Sequence, residues 1–263
     1  MENKPCQDIN VNDLVYFNND SIKCIYRIEK KEENTLFIKG VNHRINRIVS
    51  VDEVQKASLS FIEKEKEYTK KILFKTKNIF VRSDNVKKYL PGKILHIDGD
   101  KEYLDKCKEL YDEAKLYSLP ICIKEDEVER KLENILDKFN PDIIVITGHD
   151  LFQGDDPKNL LQYKNTKYFM NAVKKIRKIM RNDCVVIAGA CQSNFEALIA
   201  SGADYASSPK RINIHTFDPA VIAICVATTS FTSLVNDNMF EYIENGKDAF
   251  GGVQTYGKMK LIL

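Results

Sequence analysis

Short runs of alternating apolar and polar positions open the chain. Val11–Phe17, Cys24–Glu29, Thr35–Gly40 and Arg47–Val51 are rich in β-branched and aromatic residues. Turn-forming groups such as Asn18-Asn19-Asp20 and Glu32-Glu33-Asn34 separate them. Several short strands within residues 1–55 predict a small SH3-like β-barrel. Residues 56–90 form a highly charged, poorly periodic stretch running up to Pro91-Gly92, which reads as a partly exposed basic connector, helical at its start. From residue 91 to 263 strands and helices alternate. Lys93–Asp98, Ile121–Ile123, Asp142–Thr147, Cys184–Ala188 and Ala203–Ser207 read as strands. Helical spacing of apolar residues runs from Asp100 to Tyr117, Val128 to Phe139 and Thr166 to Arg181, then through Phe195, Leu198 and Ile199 up to Gly202. Pro219–Ala227 predicts a buried helix, and a last strand lies near Tyr256–Leu263. This alternation predicts an α/β domain, a mostly parallel sheet with helices on both faces.

The chain has 263 residues, of which 43% are hydrophobic and 30% charged, a balance that excludes wholesale disorder. No apolar run is long enough to span a membrane, and the first 20 residues lack the apolar core of an export signal. Seven scattered cysteines, an odd number, read as reduced thiols in a cytosol and not as a disulfide framework. A net charge of +2 argues against a protein that coats nucleic acid. The positive charge is concentrated in residues 61–90, with nine Lys and Arg against four Asp and Glu. There is no His-Glu-x-x-His, no paired Cys-x-x-Cys, no P-loop and no dinucleotide fingerprint, so neither metal nor cofactor is expected. Oligomeric state leaves no signature.

In open parallel sheets reactive groups gather beyond the carboxyl ends of the strands. Two strands here end alike: Ile143–Thr147 leads into Gly148-His149-Asp150, and Val185–Ala188 into Gly189-Ala190-Cys191. Consecutive parallel strands usually neighbour each other, so His149 and Cys191 are expected to project into one crevice. A free thiol is only slightly ionised at neutral pH. An imidazole nearby and the amino end of the following helix would favour the thiolate. The amides of Cys191 and of the Gly148–Asp150 turn are candidates for an oxyanion hole. Taken singly, each residue has a simpler structural explanation, Cys191 as a small buried hydrophobe and His149 as a satisfied imidazole. Their matched placement is what points to chemistry.

The stretches His96–Asp100 (HIDGD), Val145–Asp150 (VITGHD), Ala188–Ile199 (AGACQSNFEALI) and Ser207–His215 (SSPKRINIH) resemble the YabG family of sporulation proteases. More broadly, the spacing of the two strand-ending motifs looks like the caspase, legumain and clostripain group. The resemblance implies a caspase-like α/β fold and a cysteine endopeptidase that cleaves spore coat and germination proteins after basic residues, chiefly arginine. It would act in the mother-cell cytoplasm and associate with the forming coat. Cys191 matches the nucleophile and His149 the dyad histidine. Caspase-like enzymes usually carry His-Gly where this chain has His149-Asp150, which puts the following amide's oxyanion role in doubt.

An arginine pocket needs an acid, because a buried guanidinium without a partner is costly. Asp98, Asp100, Asp150 and Asp204 are the candidates, with Asp98 and Asp100 preferred and helix capping the competing role for Asp100. Ser207, Ser208 and Asn213 are expected to line the cleft or to shape the turn around Pro209, and His215 to be structural, bonding Asp218. Arg82, the only arginine within residues 56–90, is the expected site of self-cleavage, against the simpler reading of a solvated linker. Two other readings compete: a glutamine amidotransferase-like hydrolase pairing Cys191 with His215, and an inactive scaffold that binds coat proteins.

Overall fold

The computed structural model describes residues 9–17, 24–80 and 88–262. Five strands open it: β1 (Leu14–Phe17), β2 (Ile25–Glu32), β3 (Thr35–Gly40), β4 (Asn46–Ser50) and β5 (Val54–Lys56). They form one antiparallel sheet in the order β4-β3-β2-β1-β5. Alternation turns Val15, Tyr26, Ile28, Leu36 and Ile38 to one side, where they close a separate small core with Ile45 and Val49. The short strand β5 escapes the sequence pattern because Val54 is its only apolar residue.

The expected connector contains a 22-residue helix, α1 (Leu59–Phe80). Ile72 and Thr76 are buried, and Tyr68 and Leu73 pack beside Ile72 on the larger core. So few anchors among so many Lys and Glu leave a faint periodicity. Arg82 and Cys6 lie outside the described residues.

The short strand β6 (Lys88–Leu90) pairs antiparallel with the final strand of the chain. Then follow β7 (Ile94–Asp98), α2 (Lys101–Glu113), β8 (Ser118–Cys122), α3 (Val128–Lys138), β9 (Ile143–Thr147), α4 (Thr166–Met180), β10 (Val185–Ala188), α5 (Phe195–Ala200), β11 (Tyr205–Ser207), α6 (Asp218–Thr228), α7 (Gly246–Ala249), β12 (Phe250–Gly252) and β13 (Lys260–Ile262). The main sheet runs β12-β11-β10-β9-β7-β8 and is parallel except for β12, which pairs antiparallel with β11. Pro120 is tolerated in β8 because that strand is an edge.

Ile94, Ile143, Val145, Val185 and Ile187 share a core with α2 and α6. Leu95, Ile97, Ile144, Ile146 and Val186 share the opposite one with α3, α4 and α5. Burial on both faces is why these strands read as unbroken apolar runs. The helix α6 packs on β9, β10, α1 and α2 and is apolar all round. Among the described residues no helix is long and apolar enough to cross a membrane.

From β7 the chain steps outward to β8, then returns past β7 to β9 and continues to β10 and β11. The crevice between β7 and β9 is therefore the point where strand order reverses, the usual binding position in such sheets. The amino-terminal sheet is clamped there: Lys39 Nζ lies 2.8 Å from Asp100 and 3.1 Å from Glu102, and Arg27 Nη2 lies 2.9 Å from Glu102.

Truncation of Ile144 to alanine is expected to cost about 2–5 kcal/mol of unfolding free energy in urea, and Ile48→Ala on the exposed face of β4 to stay within about 0.5 kcal/mol. Burial alone would raise the Glu102 carboxyl, but Arg27 and Lys39 outweigh it and hold it at about 2 against the usual 4.5. A depressed acid stabilises the fold above its unfolded value, and that contribution is lost as pH falls through the folded one. Urea midpoints of the wild type and Glu102→Gln are accordingly expected to differ at pH 6 and to converge as pH falls towards 2.

Candidate active site

Three strand ends build the site. Beyond β7, Gly99 and Asp100 turn the chain into α2. Asp100 caps that helix by accepting from the Glu102 amide at 3.0 Å. Beyond β9 comes Gly148-His149. A Cβ on either Gly99 or Gly148 would stand 2.3 Å from a Glu125 carboxylate oxygen, so the two glycines let Glu125 lie across both turns. Glu125 also accepts from the His149 amide at 2.7 Å. That amide was expected to face an oxyanion, and Glu125 occupies it instead. Beyond β10, Gly189 has φ +113° and a Cβ there would meet Ser207 Oγ at 2.3 Å. Gln192, next to Cys191, is also left-handed at φ 60°.

The His149 ring is one-fifth exposed and held at both nitrogens. Nε2 lies 3.1 Å from Asp100 Oδ2, and Nδ1 lies 3.2 Å from the Arg44 carbonyl. Both partners are acceptors, so a ring N–H on either nitrogen has a carboxylate or carbonyl oxygen to donate to. Burial would raise the Asp100 carboxyl, but hydrogen bonds from His149 and Lys39 hold it well below the usual range. Asp100 thus combines the capping role with that of an imidazole partner, which the sequence reading did not assign.

Cys191 lies in the turn three residues beyond β10, the strand paired with β9 that leads to His149, but its thiol is fully buried. It accepts from the Ile214 amide at 3.4 Å, and its S–H faces the Ile214 carbonyl at 3.6 Å. Burial pushes the thiol up; among the charges opposing this are His43 and Arg44 of the amino-terminal sheet. The following helix does not help as expected. It starts only at Phe195, capped by Asn194, with a turn between it and Cys191. The Tyr103 ring lies 5.8 Å from that of His149, and burial, with Asp100 and Cys191 adding to it, pushes its hydroxyl up.

The acids sort clearly. Asp98 is fully buried and accepts from Arg44 Nε at 2.8 Å, Thr147 Oγ1 at 2.6 Å and the Asp100 amide at 2.8 Å. Burial alone would raise it, but Arg44 and the rest of this shell hold it low. Asp150 turns away from the crevice to the Leu151 and Asn165 amides and to the hydroxyls of Thr166 and Ser193. Burial raises its carboxyl, and with all these donors engaged it is not open to a substrate arginine. Asp204 precedes β11, at the amino end of the strand, and pairs with Arg177 at 2.6 Å.

Ser207 and Ser208, expected to line the cleft, donate to the Ala190 carbonyl at 2.8 and 3.3 Å, and Ser208 accepts from the Gln192 amide. They hold the turn that carries Cys191. Asn213 accepts from Gln192 Nε2 and reaches Cys24. His215 is buried and driven towards neutrality. Its Nδ1 accepts from the Phe217 amide, and its own amide donates to Asp218. It makes no hydrogen bond to Cys191, as the amidotransferase-like pairing would need.

Arg44, Lys39 and Glu125 are the site neighbours that sequence reasoning missed. The two glycines following β7 and β9 were the one local sign of Glu125. Among the described residues no group of His, Cys, Asp and Glu is arranged to hold a metal ion.

Residues 10–263 match the sequence model of the YabG peptidase U57 family. The sporulation-specific protease YabG of Bacillus subtilis (strain 168) is 38% identical over 180 residues, covering 66% of this chain and 61% of that relative. The chain therefore matches about three fifths of that relative's length. A match that takes in the strand ends bearing Asp100, His149 and Cys191 and extends back across the amino-terminal sheet makes this chain a member of the YabG peptidase family.

Proposed function

We propose that the chain is a cysteine endopeptidase of endospore formation that cuts proteins after arginine. Its peptidase half is read as a caspase-like sandwich and its first sheet as an SH3-like barrel. The observation that carries this reading is the Asp100–His149 hydrogen bond at the end of β9, next to the strand that bears Cys191. A carboxylate on one ring nitrogen fixes the imidazole's orientation and stabilises its charged form, which is what an acid–base histidine needs.

In the proposed reaction Cys191 gives its proton to His149, and the sulfur attacks the carbonyl carbon after the arginine. The C–N bond then breaks as the imidazolium returns a proton to the leaving amine, and a thioester remains. Water, losing a proton to His149, attacks the thioester and releases the acid and the thiol. Asp98 is the acid for the arginine side chain, since at the strand switch point it is the fully buried carboxylate that already accepts a guanidinium. The YabG name of the relative supports sporulation as the setting. Spore coat and germination proteins as substrates, and action in the mother cell beside the coat, extend that reading.

An arginyl chloromethyl ketone is expected to modify Cys191, read as a mass adduct on the peptide that carries it. An adduct only at other cysteines, or undiminished peptide cleavage by Cys191→Ala, would refute the assignment. Asp100→Asn is expected to lower kcat for an arginyl peptide by about 10²–10⁴-fold with little change in KM, because it removes the group that orients the base and not one that binds substrate. A change confined to KM would assign Asp100 to the pocket instead.

A further inference from the structure

The crevice is occupied by the chain's own turn between β3 and β4. Asn42 accepts from the Thr216 amide at 2.7 Å, and His43 forms an antiparallel bridge with His215. Arg44 follows, fully buried. Its Nε donates to Asp98 Oδ2 and its Nη1 to the Thr216 carbonyl, both at 2.8 Å, and Nη2 reaches Cys107 Sγ at 3.4 Å. Its carbonyl accepts from His149 Nδ1. The segment Ile214–Thr216, on which this turn lies, is the same one whose backbone caps Cys191.

A peptide to be cut after arginine must make three contacts at once. Its backbone adds as a strand to a free edge, its guanidinium meets an acid in a closed pocket, and its arginine carbonyl reaches the reacting groups. Asn42-His43-Arg44 makes the first two and sets its arginine carbonyl on His149 Nδ1. We propose that this tripeptide fills the substrate cleft as a tethered substrate mimic, so that the amino-terminal sheet is a built-in inhibitor and the pocket formed by Asp98, Cys107 and the Thr216 carbonyl is the arginine site. The inference rests on the peptidase reading above.

The turn is built to stay. Gly40 N donates to Ile45 O and Ile45 N to His43 O, each at 2.8 Å, folding the residue after Arg44 back into the turn. From the enzyme half, Tyr103 Oη is 2.5 Å from Gly40 O and 2.8 Å from His43 O, and Lys106 Nζ donates to Val41 O at 2.6 Å. The thiol is fully buried beneath Ile214, the segment the turn lies on, and in this reading a substrate displaces the turn to reach it. The amide after Arg44 is bonded within the turn, so the tripeptide is held uncut.

The test uses the full chain. If the open form is populated at roughly 0.1–10%, vacating the cleft raises the rate of Cys191 alkylation by the arginyl chloromethyl ketone about 10- to 1,000-fold. Arg44→Ala removes the occupant's side chain. Lys106→Ala loosens the turn while leaving Arg44 and Asp98 paired, so it serves if the first variant does not fold. Both are expected to react faster than wild type. N-acetyl-argininamide is expected to raise the melting temperature of Arg44→Ala and not of wild type. Alkylation that proceeds at equal rates in wild type and both variants would overturn the inference, as would a folded Arg44→Ala that argininamide does not stabilise. If no variant alkylates while argininamide still stabilises Arg44→Ala, the pocket stands and the peptidase reading falls.

Discussion

A guanidinium removed from water must find an acceptor on every side, and Arg44 meets that demand at the point where the strand order reverses. Taking such an ion out of water costs several kcal/mol unless its partners are well placed. Here the partners are Asp98, the Thr216 carbonyl and Cys107, from three elements of the larger half. Asp98 is itself fixed by Thr147, which also bonds the buried His96, and His96 in turn meets Tyr111. Asp98 also receives the Asp100 amide, and so helps set the turn that aims Asp100 at His149. One ion pair thus joins the amino-terminal sheet, the end of β7 and the imidazole into a single polar network inside an otherwise apolar core. Leaving any member unpaired would strand a buried charge or dipole, which gives the arrangement its rigidity.

That network also decides the state of the thiol. Cys191 is buried, and burial alone favours the neutral S–H. The imidazole that would take its proton is bonded to Arg44 O on one side and to Asp100 on the other. Cys191 and His149 therefore follow adjacent strands, but their polar contacts go to Ile214, Asp100 and Arg44 and not to each other. Reactivity in this fold is a matter of access and partner exchange more than of strand geometry.

Much of the scaffold was legible in the chain. The runs Ile143–Thr147 and Val185–Ala188 announce doubly covered strands because both faces of each meet apolar helices, and the helix over Asp218–Thr228 announces its burial by having no polar face. The same logic singled out His149 and Cys191 as candidates, since a glycine after a buried strand marks the turn where a side chain can emerge. Local pattern failed where the reason for a residue lies elsewhere in space. Nothing around Arg44 distinguishes it from a surface arginine, because its acceptors come from residues 98, 107 and 216. Asp150, Ser207 and Ser208 carry the residue types of a site, yet their partners are neighbouring turns. The charged run over 59–80 showed helix only at its start, and its full length escaped the pattern because Ile72 and a few flanking residues suffice to seat it on α6.

The division of labour between the two halves follows from these contacts. A five-stranded sheet with its own small core could stand beside a peptidase simply as a docking module. Its position argues for more, because the residues it sends across act on Asp100, His149 and Cys191. Lys39 meets Asp100, the Arg44 carbonyl meets His149, and the charges of His43 and Arg44 act on Cys191. A module that only recruited partners would have no need to bury an arginine at the strand switch point. It would also gain nothing from pairing a backbone strand with the segment that caps the thiol. Both features make sense if the sheet's position on the larger half governs whether the sulfur meets a peptide.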